Sequence, residues 1–178
     1  ALAHDVTSEA DWDAVFARIM ADHGRLDVLV NNAGIAVLRL IEDFTTADWN
    51  LQNNVNLNSV FYGTKRAVVA MREGLAQNKQ TTGSIINISS VAGIAGVPAC
   101  GAYAAAKHGV LGLVRSLALE LAKTGVTANA ICPGYTDTPM IAAAADAIVG
   151  KTGRTREQAE AAFTRSNPMG RLVAPTEV

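Results

Sequence analysis

The sequence predicts an α/β protein with a doubly wound parallel sheet, and three observations lead to this fold class. Short apolar runs alternate with longer amphipathic stretches along the 178 residues, which is the pattern of repeated βαβ units. Polar or glycine-containing segments follow these apolar runs, as expected at the carboxyl ends of parallel strands. Neither an internal repeat nor a linker breaks the pattern, so residues 1–178 are predicted to form a single domain.

Local signals define the elements in order. Residues 1–6 are predicted to be the end of a strand, and Thr7 and Ser8 offer N-caps for a helix that Gly24 ends. Residues 26–30 form a strand too apolar to face water on either side, as expected of a central parallel strand. The remaining elements are a helix over 46–71 that begins at Thr45-Thr46, strands over 84–88 and 126–131, a helix over 102–123, and a helix over 159–163 after the capping box 155–158.

Charge and composition exclude several classes of function. With a net charge of -1, the chain has no basic footprint for nucleic acid and no polybasic patch for a membrane surface. No apolar run is long enough to cross a bilayer, and the first residues lack the basic start and apolar core of a signal peptide. Cys100 and Cys132 show no CxxC or Cys/His clustering, which predicts unpaired thiols in a reducing cytoplasm and no metal site.

Tyr103 and Lys107 form the first candidate site. They are four residues apart in a predicted helix, so their side chains share one face. A phenol with a pKa of about 10 cannot serve as an acid-base group at neutral pH, whereas a nearby ammonium lowers that pKa towards the working range. On its own, the spacing favours an exposed Tyr and Lys on an ordinary helix.

Three strand ends place further polar groups at the same edge of the predicted sheet. Ser90 lies just beyond a strand and thirteen residues before Tyr103, where its hydroxyl can hydrogen-bond a substrate carbonyl. The segment 31–34 follows a second strand, and Pro133-Gly134 follows a third. Because open parallel sheets bind ligands beyond the carboxyl ends of their strands, this convergence predicts an active site.

On these residues, the chain resembles the short, single-domain branch of the short-chain dehydrogenase/reductase family. The motifs that carry the resemblance are Asp5, Asn31-Asn32-Ala33-Gly34, Asn56, Ser90, Tyr103-x-x-x-Lys107, Pro133-Gly134 and Thr138. The resemblance implies a Rossmann-like fold and an NAD(P)-dependent enzyme that transfers hydride between nicotinamide and a secondary alcohol or ketone.

The resemblance also implies a role for each catalytic residue. Tyr103 is the general acid/base, and Ser90 polarises the reacting oxygen. Lys107 lowers the pKa of Tyr103 and holds the nicotinamide ribose. Asn56 anchors a water relay to Lys107, and the alternative from the residues alone is that this amide satisfies local backbone groups.

The implied cofactor contacts lie at both ends of the dinucleotide. Asp5 and Val6 meet the adenine, although Asp5 is equally compatible with a turn residue. Asn32, Ala33 and Gly34 bring bare backbone against the adenosine ribose, for which a small residue and a glycine are needed. The contacts implied at the nicotinamide are Pro133, Gly134, Thr136 through its backbone, and Thr138.

Members of the family begin with segments that are not found before Asp5. These are a strand, a glycine-rich TGxxxGxG turn that holds the pyrophosphate, and a residue that selects NAD or NADP. The family's last strand would follow residues 175–177. We therefore expect an incomplete fragment that lacks the first strands and the last strand and is inactive by itself, from an enzyme that uses NAD or NADP.

The substrate class follows from the loop after Ser90. Residues 91–99 carry no charge, and members that act on small hydroxyacids place His and Lys where this chain has Ala92 and Cys100. A neutral ketone or a 3-ketoacyl-type substrate is therefore expected. The similarity of residues 131–135 and 170–172 to ketoacyl and polyketide ketoreductases favours the same class.

Two other classes of function stay open. One is a nucleotide-sugar epimerase or dehydratase of the longer branch of the family, against which the doubled asparagine at 31–32 argues. The other is a non-catalytic, nucleotide-sensing relative, which would be expected to lose Tyr103 or Lys107.

The helix over 102–123 is apolar nearly all round, so it is either fully buried or covered by another subunit. Members of the family pack this helix in oligomers. We expect a cytoplasmic homodimer or homotetramer formed through the helices over 46–71 and 102–123, with a small-molecule alcohol or ketone as substrate.

Overall fold

The computed structural model describes residues 1–165 and 167–178, which form two compact units, residues 1–132 and residues 133–178. The α/β architecture with a parallel sheet agrees with the fold class predicted from the sequence. That the two units fold together as a single domain stays a prediction. Among the described residues, no helix is both long enough and apolar enough to span a membrane.

The first unit is built on a three-stranded parallel sheet in the order β1-β2-β3. The strands are β1 (Val28–Asn31), β2 (Gly83–Ile88) and β3 (Val126–Ile131). Leu29, Ile85 and Ala128 are adjacent in the register and form the buried face of the sheet. They pack against a core from the surrounding helices that contains Trp12, Phe16, Ala67, Ala70, Met71, Leu117 and Leu121.

The opposite side of β1 corrects one prediction. Val28 and Val30 are 51% and 52% exposed, so the strand alternates between buried and exposed residues instead of being buried on both sides. The prediction took this strand for a central one covered on both faces, whereas the described residues leave the face of β1 that carries Val28 and Val30 uncovered.

The helices of the first unit begin at or next to the residues that the sequence marks, although the stretch predicted to end at residue 71 continues to Ala76. Ser8 caps α1 (Glu9–His23) by accepting from the Asp11 amide, and Gly24 ends it with φ 71°. The predicted helix over 46–71 is observed as α2 (Thr46–Asn53), a π-helical turn (Asn54–Asn58) and α3 (Ser59–Ala76). The helix α4 spans Gly101–Leu121, close to its predicted bounds, and Leu119 on it is 82% exposed.

The predicted strand at residues 1–6 is wrong. These residues form no strand, and the described backbone hydrogen bonds of Asp5 and Val6 go to the start of α1 instead of to a neighbouring strand. The Asp5 amide donates to the Asp11 carboxylate at 2.9 Å, and the Asp5 carbonyl accepts from the Ser8 amide at 3.0 Å.

The described residues of the second unit include the helices α5 (Pro139–Thr152) and α6 (Arg156–Thr164) and a 3-10 turn over Pro175–Glu177. Thr155 and Gln158 form the predicted capping box at the start of α6. Ala145, Ala159 and Phe163 are the centre of a small apolar core between the two helices.

Candidate active site

Lys107 is held at the junction of α4 and the sheet. Its side chain is only 3% exposed, and Nζ donates a hydrogen bond to the Ile88 carbonyl at 2.7 Å. The same Nζ lies 5.6 Å from the centroid of the Tyr103 ring, one helical turn earlier on α4. The predicted proximity of the two side chains is therefore present in the structure.

Burial shifts the pKa of Lys107 and the pKa of Tyr103. It lowers the pKa of Lys107 to about 8, because an ammonium is costly to desolvate. It also raises the pKa of the Tyr103 hydroxyl, and the hydrogen bond with the Ser90 side chain acts in the opposite direction. The lowering of the Tyr103 pKa by Lys107 stays a prediction, and in this structure burial is the largest influence on that pKa and raises it.

Ser90 lies at the end of β2, where it begins a short 3-10 turn over Val91–Gly93. Its hydroxyl accepts a hydrogen bond from the Ala92 amide at 3.1 Å. The turn packs tightly on α4, since a Cβ at Gly93 would lie 2.9 Å from the Lys107 carbonyl oxygen. The neighbouring Ser89 donates to that same carbonyl at 3.1 Å. Ser90 is thereby fixed relative to the helix that carries Tyr103 and Lys107.

Asn56 is fully buried in the π-helical turn and binds the backbone of Ile35 with both ends of its amide. Oδ1 accepts from the Ile35 amide at 2.9 Å, and Nδ2 donates to the Ile35 carbonyl at 2.8 Å. Gly34 lies against this pair: a Cβ there would be 3.1 Å from Asn56 Oδ1 and 3.6 Å from Lys107 Nζ. The structure thus shows the backbone role of Asn56, and the water relay stays a prediction.

A chain of buried amides crosses the sheet at its carboxyl edge. Nδ2 of Asn31 donates to Asn87 Oδ1 at 2.9 Å and lies 3.2 Å from Thr64 Oγ1. Asn87 in turn donates to the Asn129 carbonyl at 3.2 Å. Asn87 was not among the predicted site residues, although a lone asparagine within the apolar strand β2 is a signal for such a buried bond.

Three of the predicted adenosine contacts face one small cleft in the first unit. Val6, Asn32 and Ala33 line a cavity of about 150 Å³. Its other lining residues are His4, Trp12, Val30, Asn31 and Ser59. His4, which is not among the predicted contacts, packs edge-on against Trp12 with ring centroids 4.3 Å apart.

Asp5 does not line this cleft in the structure. Its carboxylate accepts from the Thr7 amide and from the Thr7 hydroxyl, both at 2.8 Å, and these bonds lower the pKa of the carboxyl. This arrangement is the turn role that the sequence left open beside the adenine contact. The adenine contact itself stays a prediction.

The remaining predicted contacts belong to the second unit. The Thr136 hydroxyl donates to the Gly134 carbonyl at 3.2 Å, and the Thr138 hydroxyl donates to the Thr136 carbonyl at 3.2 Å. Thr138 is also the N-cap residue of α5, where its carbonyl accepts from the Ile141 amide at 3.0 Å. These bonds give the segment from Pro133 to Thr138 a defined local geometry. Among the described residues, no cluster of His, Cys, Asp and Glu could hold a metal ion.

Comparison with protein families gives one match over most of the chain. Residues 1–148 match the family model described as short chain dehydrogenase. A D-beta-hydroxybutyrate dehydrogenase of Cupriavidus necator is 38% identical over 175 residues, which cover 98% of this chain and 66% of that protein. A putative ketoacyl reductase of Streptomyces coelicolor is 38% identical over 174 residues, covering 98% of this chain and 65% of that protein.

Solved structures show the same relationship. An actinorhodin polyketide ketoreductase variant with NADPH superposes with a TM-score of 0.88 at 37% identity, covering 98% of this chain and 65% of that one. Levodione reductase gives a TM-score of 0.84 at 35% identity, covering 96% and 63%. The chain therefore spans about two thirds of the length of these relatives.

Proposed function

This chain belongs to the short-chain dehydrogenase family, and from that premise we propose that the protein is an NAD(P)-dependent oxidoreductase of secondary alcohols and ketones. The observation that carries the proposal is the buried Lys107, one helical turn from Tyr103 and bonded to the end of the strand that leads into Ser90. A buried lysine beside a tyrosine is an arrangement suited to proton transfer.

Each of the three side chains has a task in this proposal. When a ketone is reduced, the Tyr103 hydroxyl gives its proton to the carbonyl oxygen, and in the reverse direction the phenolate takes it back. Ser90 holds the reacting oxygen by a hydrogen bond. Lys107 holds the ribose next to the nicotinamide and supplies positive charge near Tyr103. The bound nicotinamide supplies or accepts the hydride.

The cleft in the first unit suits the adenosine end of a dinucleotide. Val6, Asn32 and Ala33 line it, and Gly34 follows with no side chain to block the backbone. We propose either NAD or NADP as cofactor, and three of the solved relatives are structures with NADP or NADPH bound. Asp5 at the adenine is part of the same proposal. So are the contacts at the nicotinamide from Pro133, Gly134, Thr136 and Thr138.

We propose a neutral or 3-ketoacyl-type ketone as substrate. The loop after Ser90 carries no charge, and Cys100 at the N-cap of α4 is a half-buried thiol whose pKa is raised by burial. Such surroundings give a free carboxylate no cationic partner in this loop. Two relatives are named ketoacyl reductases, while others are named hydroxybutyrate or hydroxysteroid dehydrogenases.

Association into a homodimer or homotetramer is a further part of the proposal. Phe61 and Val69 on α3 are 47% and 55% exposed, and Leu119 on α4 is 82% exposed. Exposed apolar residues on two long helices favour packing against a second subunit. The two unpaired cysteines favour a cytoplasmic location.

A substrate comparison tests the proposed function. The complete protein, meaning this chain extended to the full length of its relatives, is assayed by nucleotide absorbance with a neutral cyclic ketone, a 3-ketoacyl thioester and acetoacetate. We expect turnover of the first or second substrate and little of acetoacetate. A preference for acetoacetate would overturn the substrate class, and no turnover of any ketone with either nucleotide would overturn the reaction.

A further inference from the structure

Gln52 is a fully buried amide that binds one residue of a neighbouring segment with both of its ends. Oε1 accepts from the Val37 amide at 3.0 Å, and Nε2 donates to the Val37 carbonyl at 3.3 Å. Asn56 binds Ile35 in the same way, at 2.9 and 2.8 Å. Two side-chain amides therefore take the place of a neighbouring strand for the backbone after Gly34.

These contacts form part of a repeating pattern between a helix face and the segment 35–41. Ile35, Val37 and Arg39 are bound by Asn56, Gln52 and Asp48, the last through an ion pair of 3.0 Å between Arg39 Nε and Asp48 Oδ2. Along the segment the bonded positions are two residues apart, and along the helix their partners are four residues apart in the opposite direction. The two repeats match in length, since two residues of extended chain span about 6.6 Å and four residues of helix about 6.0 Å.

The segment 35–41 runs beside the part of α4 that carries the site. At its start, Gly34 lies close to Lys107 Nζ. Further on, the Arg39 amide donates to the Ala99 carbonyl at 3.0 Å, directly before the N-cap of α4. At its end, Ile41 Cδ1 would be 3.6 Å from a Cβ at Gly101, two residues before Tyr103. Leu40 and Ile41 are 55% and 72% exposed at this position.

We propose that Gln52 is a positioning residue that fixes the middle of the segment 35–41 and so holds Leu40 and Ile41 as an apolar wall beside Tyr103. The inference rests on the proposed function, because the wall would face the substituents of a ketone bound at Tyr103. A buried uncharged amide adds less to a core than an apolar side chain of the same volume. The bonds to Val37 therefore account for a glutamine at this position.

Three variants separate positioning from a merely structural role. Gln52→Leu keeps the volume and removes both bonds to Val37. Gln52→Glu restores both bonds only when its carboxyl is protonated, since the protonated group can donate to the Val37 carbonyl and accept from its amide. Gln80→Leu is the matched control, because Gln80 is also buried and its Nε2 donates to the Leu26 and Thr82 carbonyls, away from the segment 35–41.

In the complete protein, we expect Gln52→Leu to raise KM for the ketone roughly tenfold or more, with little change in kcat or in nucleotide affinity, because two buried hydrogen bonds are lost. Gln52→Glu should show a KM near wild type at acidic pH and a raised KM at alkaline pH. Gln80→Leu should lower stability without changing KM. An unchanged KM in Gln52→Leu, or an equal rise in Gln80→Leu, would overturn the proposal.

Hydrogen exchange on the complete protein tests positioning without any assay of activity. We expect faster exchange of the Val37 and Arg39 amides in Gln52→Leu than in wild type or Gln80→Leu. Unchanged exchange would overturn the role of Gln52 even if the enzyme reduces ketones. If exchange rises but the wild-type protein reduces no ketone, then the proposed function has failed and the anchoring of the segment stands. If Gln52→Leu does not fold, the change of KM with pH in Gln52→Glu decides between the two outcomes.

Discussion

Lys107 Nζ lies 5.6 Å from the centroid of the Tyr103 ring while donating its hydrogen bond to the Ile88 carbonyl at the end of β2. The lysine therefore ties the candidate acid-base residue on α4 to the strand that leads into Ser90. Because Lys107 is almost fully buried, its charge is costly in the folded state, and this cost makes stability depend on pH.

The pH dependence of unfolding should reveal this cost. The folded-state pKa of Lys107 is lowered from 10.5 to about 8, so between these pH values the unfolded state binds the proton and the folded state does not. The free energy of unfolding should then rise with pH in wild type relative to Lys107→Met, by up to roughly 3 kcal/mol across this window. Urea unfolding near both ends of the window measures it.

The control for this prediction is Lys123→Met, which removes an exposed lysine just beyond α4. It should follow the wild-type pH dependence. If the free energy of unfolding changes with pH equally in Lys107→Met and in wild type between pH 8 and 10.5, then burial does not lower the pKa of Lys107.

Removing the Tyr103 hydroxyl should nearly abolish carbonyl reduction. In the complete protein, Tyr103→Phe is expected to lower kcat by about 10²–10⁴-fold, the usual contribution of a general acid-base group. Nucleotide binding, followed by fluorescence, should persist because the ring stays in place. Tyr62→Phe removes a hydroxyl from a tyrosine that packs against the main core and should leave kcat near wild type. Retention of half the activity by Tyr103→Phe would contradict the assignment.

The helices and the strands β2 and β3 could be predicted from the sequence because their signals are local. Ser8, Gly24 and Thr45 act as the caps that their residue types indicate, and β3 has its predicted bounds. The strand predicted at residues 1–6 failed because a strand needs a neighbour to take its hydrogen bonds, which a local pattern does not report. The exposure of Val30 on β1 escaped prediction because the apolar pattern of a strand does not report whether another element covers each face.

The motif residues of the candidate site could be predicted, but the buried amides that hold the neighbouring segments in place could not. Tyr103 and Lys107 share a helix face, as their spacing requires. The direction of the Tyr103 pKa could not be predicted, because it depends on burial. Gln52 and Asn87 were missed because their partners, Val37 and Asn31, are distant in sequence and meet them only in the folded chain.

The turn after Ser90 should tolerate no side chain at Gly93. A Cβ there would lie 2.5 Å from Ser89 Oγ and 2.9 Å from the Lys107 carbonyl oxygen, so the turn would have to move away from α4. Gly93→Ala should lower the free energy of unfolding by about 1–3 kcal/mol, the usual cost of overpacking. It should also reduce activity by displacing Ser90. In Gly96→Ala, the added methyl meets no atom within 4 Å, so thermal unfolding close to wild type is expected.

Light scattering at micromolar concentration tests the proposed oligomer. The complete protein is expected to have the molar mass of a dimer or tetramer, and Leu119→Glu should shift it towards the monomer by placing a charge in an apolar interface. Leu2→Glu, which changes a leucine that is 54% exposed outside the two helices, should leave the mass unchanged. A monomeric wild type would mean that α4 needs no second subunit.

Residues 1–178 on their own should bind NADH and NADPH only weakly. The cleft lined by Val6, Asn32 and Ala33 has a volume of about 150 Å³, below the roughly 300–1,000 Å³ usual for small-molecule and cofactor sites, so it can take only part of a dinucleotide. The pyrophosphate charge is normally met by backbone amides of a glycine-rich turn at a helix N-terminus, and residues 1–178 contain no TGxxxGxG sequence. Calorimetric titration of both nucleotides, with the complete protein as control, measures the affinity. A micromolar Kd for residues 1–178 would show that another segment of this chain holds the phosphates.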